Sequence, residues 1–557
     1  MVYLKISKRK GHKYAAIVKG VKVNGKVKHK QIKNLGRYDK LIEKLASHEP
    51  VLNLSDITIE RALDFGDVIA LAKIWEYLNL TQIINTFAVK EKGISCGDIL
   101  EIWSINRALD PLSTNKIQAW YRKTILPYTK SIPPEKIYPE LFCSSLDKFD
   151  NETIFKIHKE INKILAQKFN VDLQNVLYDV TSTYFEGEKC VLAKFGYSRD
   201  KRKDKKQIII GIVVSLDKGV PIYHFVDEGN VTDVTTKLNV DEKLKDLGVN
   251  NALMIHDRGM TSKENIRLSD KLNYDYITAL DSDTKQSNYW IKKLREDKTE
   301  YFVVDEHRKK CRQEDCSEKE IIYEVKIKEA IACEHKCFKK YVLLFDGLLA
   351  KKKSETREKR LSDAKTQLET IKDKVDRKTF RKKLTILNQI KKAISNLSKY
   401  FEIETEENGD NVEKFTWKFK DEIQKKAEEN DGYYVLICSE QTRSKLEIYS
   451  AFKYRCEIEA VIKELKQAIN LHPIGHWKGV RPEGKVFICI LAYLLRKVMK
   501  IILNENGIYD SVSSVLDVLS EVKEVEISAE NRSVQKLTQL TAEKENLFKI
   551  FQIKSEI

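Results

Sequence analysis

The chain has 557 residues, a length that predicts several domains with buried cores. Its 100 Lys and Arg side chains outnumber the 83 Asp and Glu and leave a formal charge of +17, which favours a polyanionic partner such as nucleic acid, although a generally Lys-rich proteome produces the same excess. No signal-peptide pattern follows the N-terminal lysines, the longest apolar run (486–495) is too short to span a bilayer, and the ten scattered cysteines do not suggest a disulfide framework. We therefore expect a soluble, cytoplasmic protein with no membrane partner.

The N-terminal region, 1–55, is predicted to be a basic β-hairpin region. Residues 1–40 contain thirteen Lys or Arg and one acid, Asp39. Asn24 and Gly25 separate two alternating segments, which is a strong signal for a two-residue hairpin turn. Such a ribbon suits contact with DNA phosphates, and a merely solvated hairpin remains the alternative.

The next region, 56–170, is predicted to be helical. Its apolar residues recur at helical spacing, first at Val68, Leu71, Ala72, Trp75 and Leu78 and then at Ile99, Ile102 and Ile105. We expect a DNA-binding or dimerisation domain, with a plain structural bundle as the alternative.

Residues 171–281 alternate between strands and helices. Strands are predicted over 175–184, 207–215, 220–226, 252–256 and 274–280, with helices over 233–247 and 262–272. The first three strands have short links and must be antiparallel, whereas strands reached through helices should be parallel. The prediction is a mixed sheet with helices on its faces, in which the first and fourth strands can be neighbours.

Residues 282–430 interrupt that rhythm and are predicted to be an insertion of short strands and a Lys-rich, two-helix arm. The arm is indicated by two apolar stripes, one over 361–375 and one made of Leu384, Leu387, Ile390, Ile394 and Leu397. A strand returns at 433–437 within a further core segment, 431–500, and the remainder, 501–557, is predicted to be a helical region.

The segment 452–466 places Arg455, Glu459 and Lys466 on one face of a predicted helix that includes Phe452. An apolar stripe beside them, made of Ile458, Val461, Leu465 and Ile469, is expected to anchor this helix to a core. A carboxylate between two cations suits a metal site beside a phosphodiester. The alternative without a functional site is a surface helix with ordinary Glu/Lys pairing.

Two further acids complete a candidate site. Asp179 interrupts an apolar strand and Asp257 follows the short strand 252–256, so neighbouring strands would bring them together, facing Glu459. Three hard oxygen donors suit Mg²⁺ or Mn²⁺ rather than zinc, and a pair of such ions would serve phosphoryl transfer. Glu457 and Glu464 are rivals for the third position but lie well off the face that carries Arg455.

These residues stand within a set of motifs that resembles one protein family. The motifs are YDVTST (178–183), GYSRD (196–200), GNVTD (229–233), HDRG (256–259), GYYVL (432–436) and RPEG (481–484). They resemble those of bacterial insertion-sequence DDE transposases of the insertion-sequence-four-like superfamily, whose third acid lies in a Tyr-x2-Arg-x3-Glu-x6-Lys signature. Arg455, Glu459 and Lys466 match this signature, and Phe452 takes the place of its Tyr.

The resemblance implies an α/β fold, namely an RNase H-like mixed-sheet catalytic core split by a large α+β insertion, with the basic β-ribbon and the helical domain before it. It implies that Asp179, Asp257 and Glu459 are catalytic ligands of two Mg²⁺ (or Mn²⁺) ions. DNA phosphate contacts are expected from Arg455, Lys466, Arg258, Lys205 and Lys206. The implied partners are the terminal inverted repeats of the element, target DNA and a second copy of the chain, and the implied location is the bacterial nucleoid.

Other interpretations remain at this point. Within the enzymes, a metal-dependent nuclease or resolvase would use the same core, and a catalytically silent DNA-binding protein derived from a transposase is the rival from another class. Cys311, Cys316, Cys333 and Cys337 have a spacing compatible with a zinc ribbon, although the family pattern does not require one.

Overall fold

The computed structural model describes residues 2–23, 26–46, 57–200, 202–250, 252–257, 260, 262–281, 284–310, 320–334, 337–379, 382–529 and 532–555. These residues form a mixed α/β structure organised around one nine-stranded sheet. Three smaller sheets, of three, two and three strands, accompany it within the described ranges. None of the helices in these ranges is long and apolar enough to cross a membrane.

The basic N-terminal region forms a three-stranded antiparallel sheet and one helix. Their bounds are β1 (Val2–Arg9), β2 (His12–Val23), β3 (Lys26–Arg37) and α1 (Tyr38–Ala46). β2 and β3 pair antiparallel as the hairpin pattern predicts, and the turn residues 24 and 25 lie outside the described residues. The sequence did not predict β1, which pairs with β2 along its whole length.

The following region begins with a strand and continues with helices. The bounds are β4 (Ile57–Asp64), α2 (Gly66–Tyr77), α3 (Leu80–Phe87), α4 (Cys96–Leu109), α5 (Thr114–Arg122), α6 (Leu126–Thr129), α7 (Pro139–Leu146) and α8 (Asn151–Phe169). The apolar residues that predicted the first helices are in the core: Val68, Leu71 and Trp75 are buried in α2, as are Ile99 and Ile102 in α4. The Ser95 hydroxyl begins α4 by accepting a hydrogen bond from the Asp98 amide at 3.1 Å.

The predicted alternation of strands and helices is observed over residues 175–279. Its elements are β5 (Asn175–Tyr184), β6 (Gln207–Ser215), β7 (Pro221–Glu228), α9 (Asp233–Asp246), β8 (Leu253–His256), α10 (Lys263–Lys271) and β9 (Asp275–Ala279). β5, β6 and β7 are antiparallel neighbours, whereas β5 pairs in parallel with β8, and β8 with β9. The predicted adjacency of the first and fourth strands is confirmed.

Residues 285–428 contain more regular structure than the sequence predicted. The elements are α11 (Lys285–Glu296), β10 (Phe302–Lys310), β11 (Glu320–Glu334), β12 (Cys337–Asp346), α12 (Gly347–Asp376), α13 (Lys383–Ile394), β13 (Phe401–Asn408), β14 (Asn411–Phe419) and α14 (Asp421–Glu428). The hairpin of β13 and β14 was not predicted. Val412 and Phe415 of this hairpin lie in the small core of the arm. Ile386 and Ile390 of α13 are buried in the same core. The predicted stripe was wrong at Leu384 and Leu387, whose side chains are exposed.

The C-terminal part contains β15 (Tyr433–Cys438), α15 (Lys445–Lys453), α16 (Arg455–Gln467), α17 (Arg481–Glu505), α18 (Val512–Ser520), β16 (Lys523–Ala529), β17 (Arg532–Leu537) and α19 (Ala542–Ile550). The prediction of a mostly helical region over 501–557 did not include β16 and β17, and β16 pairs with both β17 and β4. The partner strand β4 lies more than 450 residues earlier in the sequence, so no local pattern near β16 indicates the pairing.

The main sheet has the strand order β10-β11-β12-β15-β9-β8-β5-β6-β7. β10, β11 and β12 therefore extend this sheet, and β15 joins them to β9 by antiparallel pairing on both sides. α17 is buried along nearly all of its length and contacts α4, α2 and β7. The helical region and one face of the sheet consequently share one core, which fixes the position of α16 against β5.

Candidate active site

Two strands at the centre of the main sheet carry the first two predicted acids. Tyr178 of β5 lies opposite His256 of β8, so Asp179 and Asp257 are the next residues along adjacent parallel strands. Neighbouring strands are about 4.8 Å apart. Leu177 and Ile255, two residues before each acid, belong to the core beneath α16, and side chains two apart point to the same face of a strand. Both carboxylates therefore lie on the face of the sheet that α16 covers.

α16 brings the third predicted acid to this face. Ile458, Val461 and Leu465 are buried in the shared core, which confirms the predicted stripe, and Glu459 remains on the exposed side of the helix. The prediction of one continuous helix from Phe452 was wrong, because α15 ends at Lys453 and α16 begins at Arg455. The Glu457 amide donates to the Tyr454 carbonyl at 2.8 Å, three residues back, and this tight turn starts α16.

One guanidinium connects the acids. Arg455 Nη1 donates to Asp257 Oδ1 at 2.6 Å, and Arg455 Nη2 lies 3.6 Å from Glu459 Oε1. The guanidinium carbon also stands 5.0 Å from the centre of the Phe452 ring, so the aromatic residue before the helix supports the same side chain. Arg455 and Glu459 thus meet Asp257 in space, although Asp257 precedes Arg455 by 198 residues in the sequence.

Asp179 lies in the same electrostatic environment. Burial raises the pKa of Asp179 to about 6, and the negative charge of Asp257 acts in the same direction. The Val180 amide, which donates to Asp179 Oδ1 at 2.7 Å, and the charges of Arg199 and Arg455 oppose this rise in pKa. Asp179 therefore interacts electrostatically with Asp257 and with Arg455.

Carboxylates are ligands that suit a hard divalent cation, and two of the three predicted acids, Asp257 and Glu459, contact Arg455 while the third, Asp179, responds to its charge. No group of three or more His, Cys, Asp or Glu side chains in the described part of the chain is arranged to hold a metal ion. Asp257 pairs with Arg455 in this arrangement.

We expect Asp179→Asn to stabilise the protein in a chelating buffer at neutral pH. An acid whose pKa is higher in the folded chain than in the unfolded chain favours folding while it is protonated and loses that advantage as it ionises. The advantage of the Asn variant should therefore grow between about pH 4 and about pH 6, and stay constant above that. The measurement is denaturant unfolding of both proteins across this pH range. If the difference in the free energy of unfolding did not depend on pH, the raised pKa of Asp179 would be contradicted.

Lys466, the second predicted cation, binds an acid that the sequence did not single out. Its Nζ donates to Asp200 Oδ1 at 2.6 Å, and both side chains are mostly buried. The second oxygen, Asp200 Oδ2, is buried and has no hydrogen-bond partner in the described residues. The only sequence signal for Asp200 was its place in the GYSRD motif.

The segment that carries Asp200 is held tightly against the sheet. The Arg199 amide donates to Ser182 Oγ of β5 at 3.0 Å. A Cβ on Gly196 would stand 2.1 Å from the Gly229 carbonyl oxygen, and one on Gly229 would stand 1.9 Å from that of Gln207. Because these neighbours are backbone atoms, only glycine permits this approach, and the two glycines fix the position of Asp200 beside α16.

The remaining predicted phosphate contacts lie elsewhere or cannot be described. Lys205 Nζ pairs with Glu186 at 3.2 Å, and Lys206 precedes β6, next to the end of β5. Five residues separate Tyr184, at that end of β5, from Asp179, a distance of roughly 17 Å along a strand. Arg258 lies outside the described residues, as do Cys311, Cys316 and the side chains of Cys333 and Cys337, so the zinc prediction is not examined by the structure.

The rival acids of α16 face another way. Glu464 Oε1 accepts a hydrogen bond from Arg496 Nε of α17 at 2.8 Å. Burial in α17 raises the pKa of Tyr493 far above its ordinary value, and the charges of Glu464 and Glu457 raise it further. Glu459 is thus the acid of this helix that shares a cation with Asp257.

Comparisons with known proteins identify the family. Residues 4–53 match the family model described as "IS1634 family transposase, N-terminal domain", and residues 173–495 match the model described as "Transposase DDE domain". No curated protein matches the chain. Among solved structures, it is similar at 9% identity and a TM-score of 0.38 to a piggyBac transposase in a synaptic complex with hairpin DNA, over 82% of this chain and 79% of that one.

The match to the DDE domain covers more than half of the chain and includes β5, β8, β15 and α16. It thus contains the two strand-borne aspartates and the helix with Arg455, Glu459 and Lys466. The chain belongs to the DDE transposase family and is a DNA transposase of the insertion-sequence type.

Proposed function

We propose that this transposase cuts the ends of its own insertion sequence and joins the freed 3′-hydroxyls to target DNA. Both steps are in-line phosphoryl transfers without a covalent enzyme intermediate. The observation that carries the proposal is the contact of Arg455 with both Asp257 and Glu459, while Asp257 stands beside Asp179. Three acids from three separate parts of the chain are thereby grouped around one cation.

A DDE transposase depends on divalent metal ions, and we assign Asp179, Asp257 and Glu459 as ligands of two Mg²⁺ (or Mn²⁺) ions. Carboxylates are the ligands that these hard cations prefer. When bound, the ions supply the activation of water or of a 3′-hydroxyl and stabilise the leaving oxygen. Once Asp257 no longer engages Arg455, that guanidinium is available to donate to a DNA phosphate.

Five cations are proposed to hold DNA in this transposase. Arg455 and Lys466 would contact phosphates close to the scissile bond, because they lie on the same helix as Glu459. Lys205 and Lys206 would contact the backbone farther away, and Arg258, which follows Asp257 in the sequence, would contact it nearer the acids. The placement of Lys205 and Lys206 at the far end of β5 supports this division for those two.

We propose that the catalytic core is RNase H-like, formed by 171–281 and 431–500 and split by 282–430. The pairing of β15 with β9 supports the first part of this proposal, since it joins the two halves directly. The basic region 1–55 and the helical region 56–170 would bind DNA ends or a second subunit. The C-terminal region 501–557 is attached to the helical region through the pairing of β4 with β16. The working form would be a homodimer that holds two ends of the element.

The test is a reaction with DNA that carries the terminal inverted repeats of the element, in Mg²⁺ or Mn²⁺. We expect cleavage at the repeat end and a joined product with target DNA. A pre-cleaved end with a 3′-dideoxy terminus should be bound but not joined, because it lacks the attacking hydroxyl. Cleavage without any joined product would favour the nuclease or resolvase, and binding without cleavage would favour the non-catalytic DNA-binding protein.

Asp200→Asn is expected to slow cleavage by roughly 10- to 100-fold, the usual cost of losing a partner that orients a site residue. Its physical reason is that Lys466 loses the charged acceptor that holds its ammonium. Asp204→Asn, in the same segment but exposed and paired with Arg202, should have little effect. Cleavage rates under saturating and limiting DNA are the measurement.

A double-mutant cycle separates positioning from a general structural role of Asp200. If Asp200 acts through Lys466, Asp200→Asn should add little to the loss caused by Lys466→Met. Asp200→Glu, which keeps the charge, should recover part of the rate. Fully additive losses in the double variant would show that the two residues act independently.

A further inference from the structure

A basic cavity lies at the base of the arm, at a distance from the acids. It is an open concavity of about 400 Å³ between α12 and the 3₁₀ turn 395–400. Five of its nine lining residues are cationic, namely Lys352, Lys353, Arg357, Arg360 and Lys399, and none is acidic. The proposed function of the acids and of their phosphate contacts does not use this cavity.

Most of the charge in the cavity is uncompensated. Arg357 pairs with Asp431, and within the described ranges Lys352, Lys353, Arg360 and Lys399 form no ion pair. Arg357 also keeps a buried nitrogen, Nη1, with no hydrogen-bond partner in those ranges. A concave surface that carries several unpaired cations attracts an anion with several charges close together.

The cavity is held rigidly to the main sheet. The ion pair of Arg357 with Asp431 is nearly buried and ties the third turn of α12 to the residues just before β15. Asp346, which caps α12, donates its amide to the Gly432 carbonyl at 3.0 Å. Gly432 has φ +78°, and a Cβ there would stand 2.6 Å from the Asp346 carbonyl oxygen. The base of the arm therefore cannot shift freely relative to β15.

This attachment sets the distance from the acids. Burial raises the pKa of Tyr434 in β15 to about 12, and its pKa also responds to the charges of Asp346 and Arg455, which places both groups near this ring. Lys352 to Arg360 follow Asp346 by six to fourteen residues, roughly 9 to 21 Å along a helix. This stretch of α12 is as long as roughly three to six phosphate steps of one DNA strand, which advance about 3.4 Å each along the duplex axis. The cavity thus stands apart from the end of α12 that lies near the Tyr434 ring.

We propose that this cavity binds backbone phosphates of the DNA whose scissile bond lies at the acids, at a position separate from that bond. The inference rests on the proposed function for the placement of the scissile bond, but the binding of a polyanion does not require catalysis. Because Lys and Arg contact phosphates and not base edges here, the contact would add affinity without reading sequence.

The experiment compares two triple variants with the same change in net charge. The cavity variant is Lys352→Ala/Lys353→Ala/Arg360→Ala, and the control is Lys374→Ala/Lys391→Ala/Lys392→Ala, three arm lysines outside the cavity. Affinity for a duplex that joins the element end to its flank is measured in a chelating buffer over a range of salt concentrations. We expect the cavity variant to bind at least about tenfold more weakly and to lose roughly 2 to 3 units of salt slope.

The control variant should change both quantities much less. Equal losses in the two variants would overturn the proposal, since they would reflect net charge alone, and so would an unchanged affinity in the cavity variant. Because Lys353 is half-buried, a second variant changes only the exposed pair, Lys352→Ala/Arg360→Ala, which leaves the packing of the arm unchanged. We expect this variant to lose affinity in the same direction but by a smaller factor.

Location is tested by hydroxyl-radical footprinting of the same complexes. The cavity variant should lose protection over one short stretch of backbone away from the cleavage position and keep it elsewhere. Asp257→Asn should keep the cavity-dependent affinity and protection although it does not cleave. If the wild-type protein bound in this way but never cleaved DNA, the proposed function would fail while the phosphate site stood.

Discussion

Asp257→Asn is expected to abolish DNA cleavage and strand transfer while DNA binding is kept. The substitution removes the carboxylate that lies between Asp179 on the adjacent strand and Arg455 on α16, so it removes both a proposed metal ligand and the contact that places Arg455. A loss of roughly 10²- to 10³-fold is the scale for losing one electrostatic stabiliser at a reacting centre. Cleavage of labelled element ends in Mn²⁺, with affinity measured on the same DNA, is the measurement.

Matched controls come from acids outside the site. Asp270→Asn changes an exposed aspartate of α10 and should leave cleavage unchanged. On α16, Glu459→Gln should lose activity as Asp257→Asn does, whereas Glu457→Gln, an exposed glutamate on the same helix, should retain it. Thermal stabilisation of the wild-type protein by Mn²⁺ should also disappear in Asp257→Asn. An active Glu459→Gln, or an inactive Glu457→Gln, would contradict the choice of the third acid.

Lys237→Met is expected to destabilise the protein by about 3–5 kcal/mol, the scale for removing one partner of a buried ion pair. Lys237 Nζ donates to Asp241 Oδ2 at 2.6 Å inside the layer between α9 and α10, and both side chains are at most 1% exposed. Ser269 Oγ is the remaining hydrogen-bond donor to that oxygen, at 3.3 Å, and Asp241 Oδ1 has no partner among the described residues. The variant thus leaves the buried Asp241 carboxylate with Ser269 as its remaining hydrogen-bond donor among the described residues. Denaturant unfolding measures the loss in the free energy of unfolding.

The paired variant Lys237→Met/Asp241→Leu should recover most of the lost stability. Replacing both charges with apolar groups of similar size removes the unpaired carboxylate and its desolvation cost together. Asp241→Leu alone should be destabilised, because it leaves the ammonium buried without its partner. A double variant as unstable as Lys237→Met would show that the packing of α9, and not the charge pair, limits stability at this position.

Several elements were predicted closely because their signals are local. β5 has the predicted bounds, and β6 agrees as well, because strongly apolar runs between polar turns leave little freedom for a strand. The parallel pairing of β5 with β8 followed from the helix between β7 and β8, which a parallel connection requires. The convergence of Asp179 with Asp257 was therefore predictable from element order.

Other features depend on contacts between distant residues, and the sequence predictions failed there. The break at Tyr454 separates α15 from α16 without a proline or glycine in the sequence to mark it. β16 was assigned to a helical tail because its partner, β4, is near the other end of the chain. Leu384 satisfies a helical stripe yet is exposed, since the unpredicted hairpin of β13 and β14 covers the Ile386 face instead.

The amino-acid order alone determined which residue types are available for chemistry and on which elements they stand: two aspartates on strands of a mixed sheet and an Arg, Glu and Lys set on one helix face. Only the tertiary structure decided which charges meet. It placed Arg455 against Asp257, Lys466 against Asp200, and five cations around a cavity at the base of the arm. The reason is that periodicity specifies the face of a helix or strand, whereas a charge pair depends on a separation of a few ångströms that only the packing of the whole core sets.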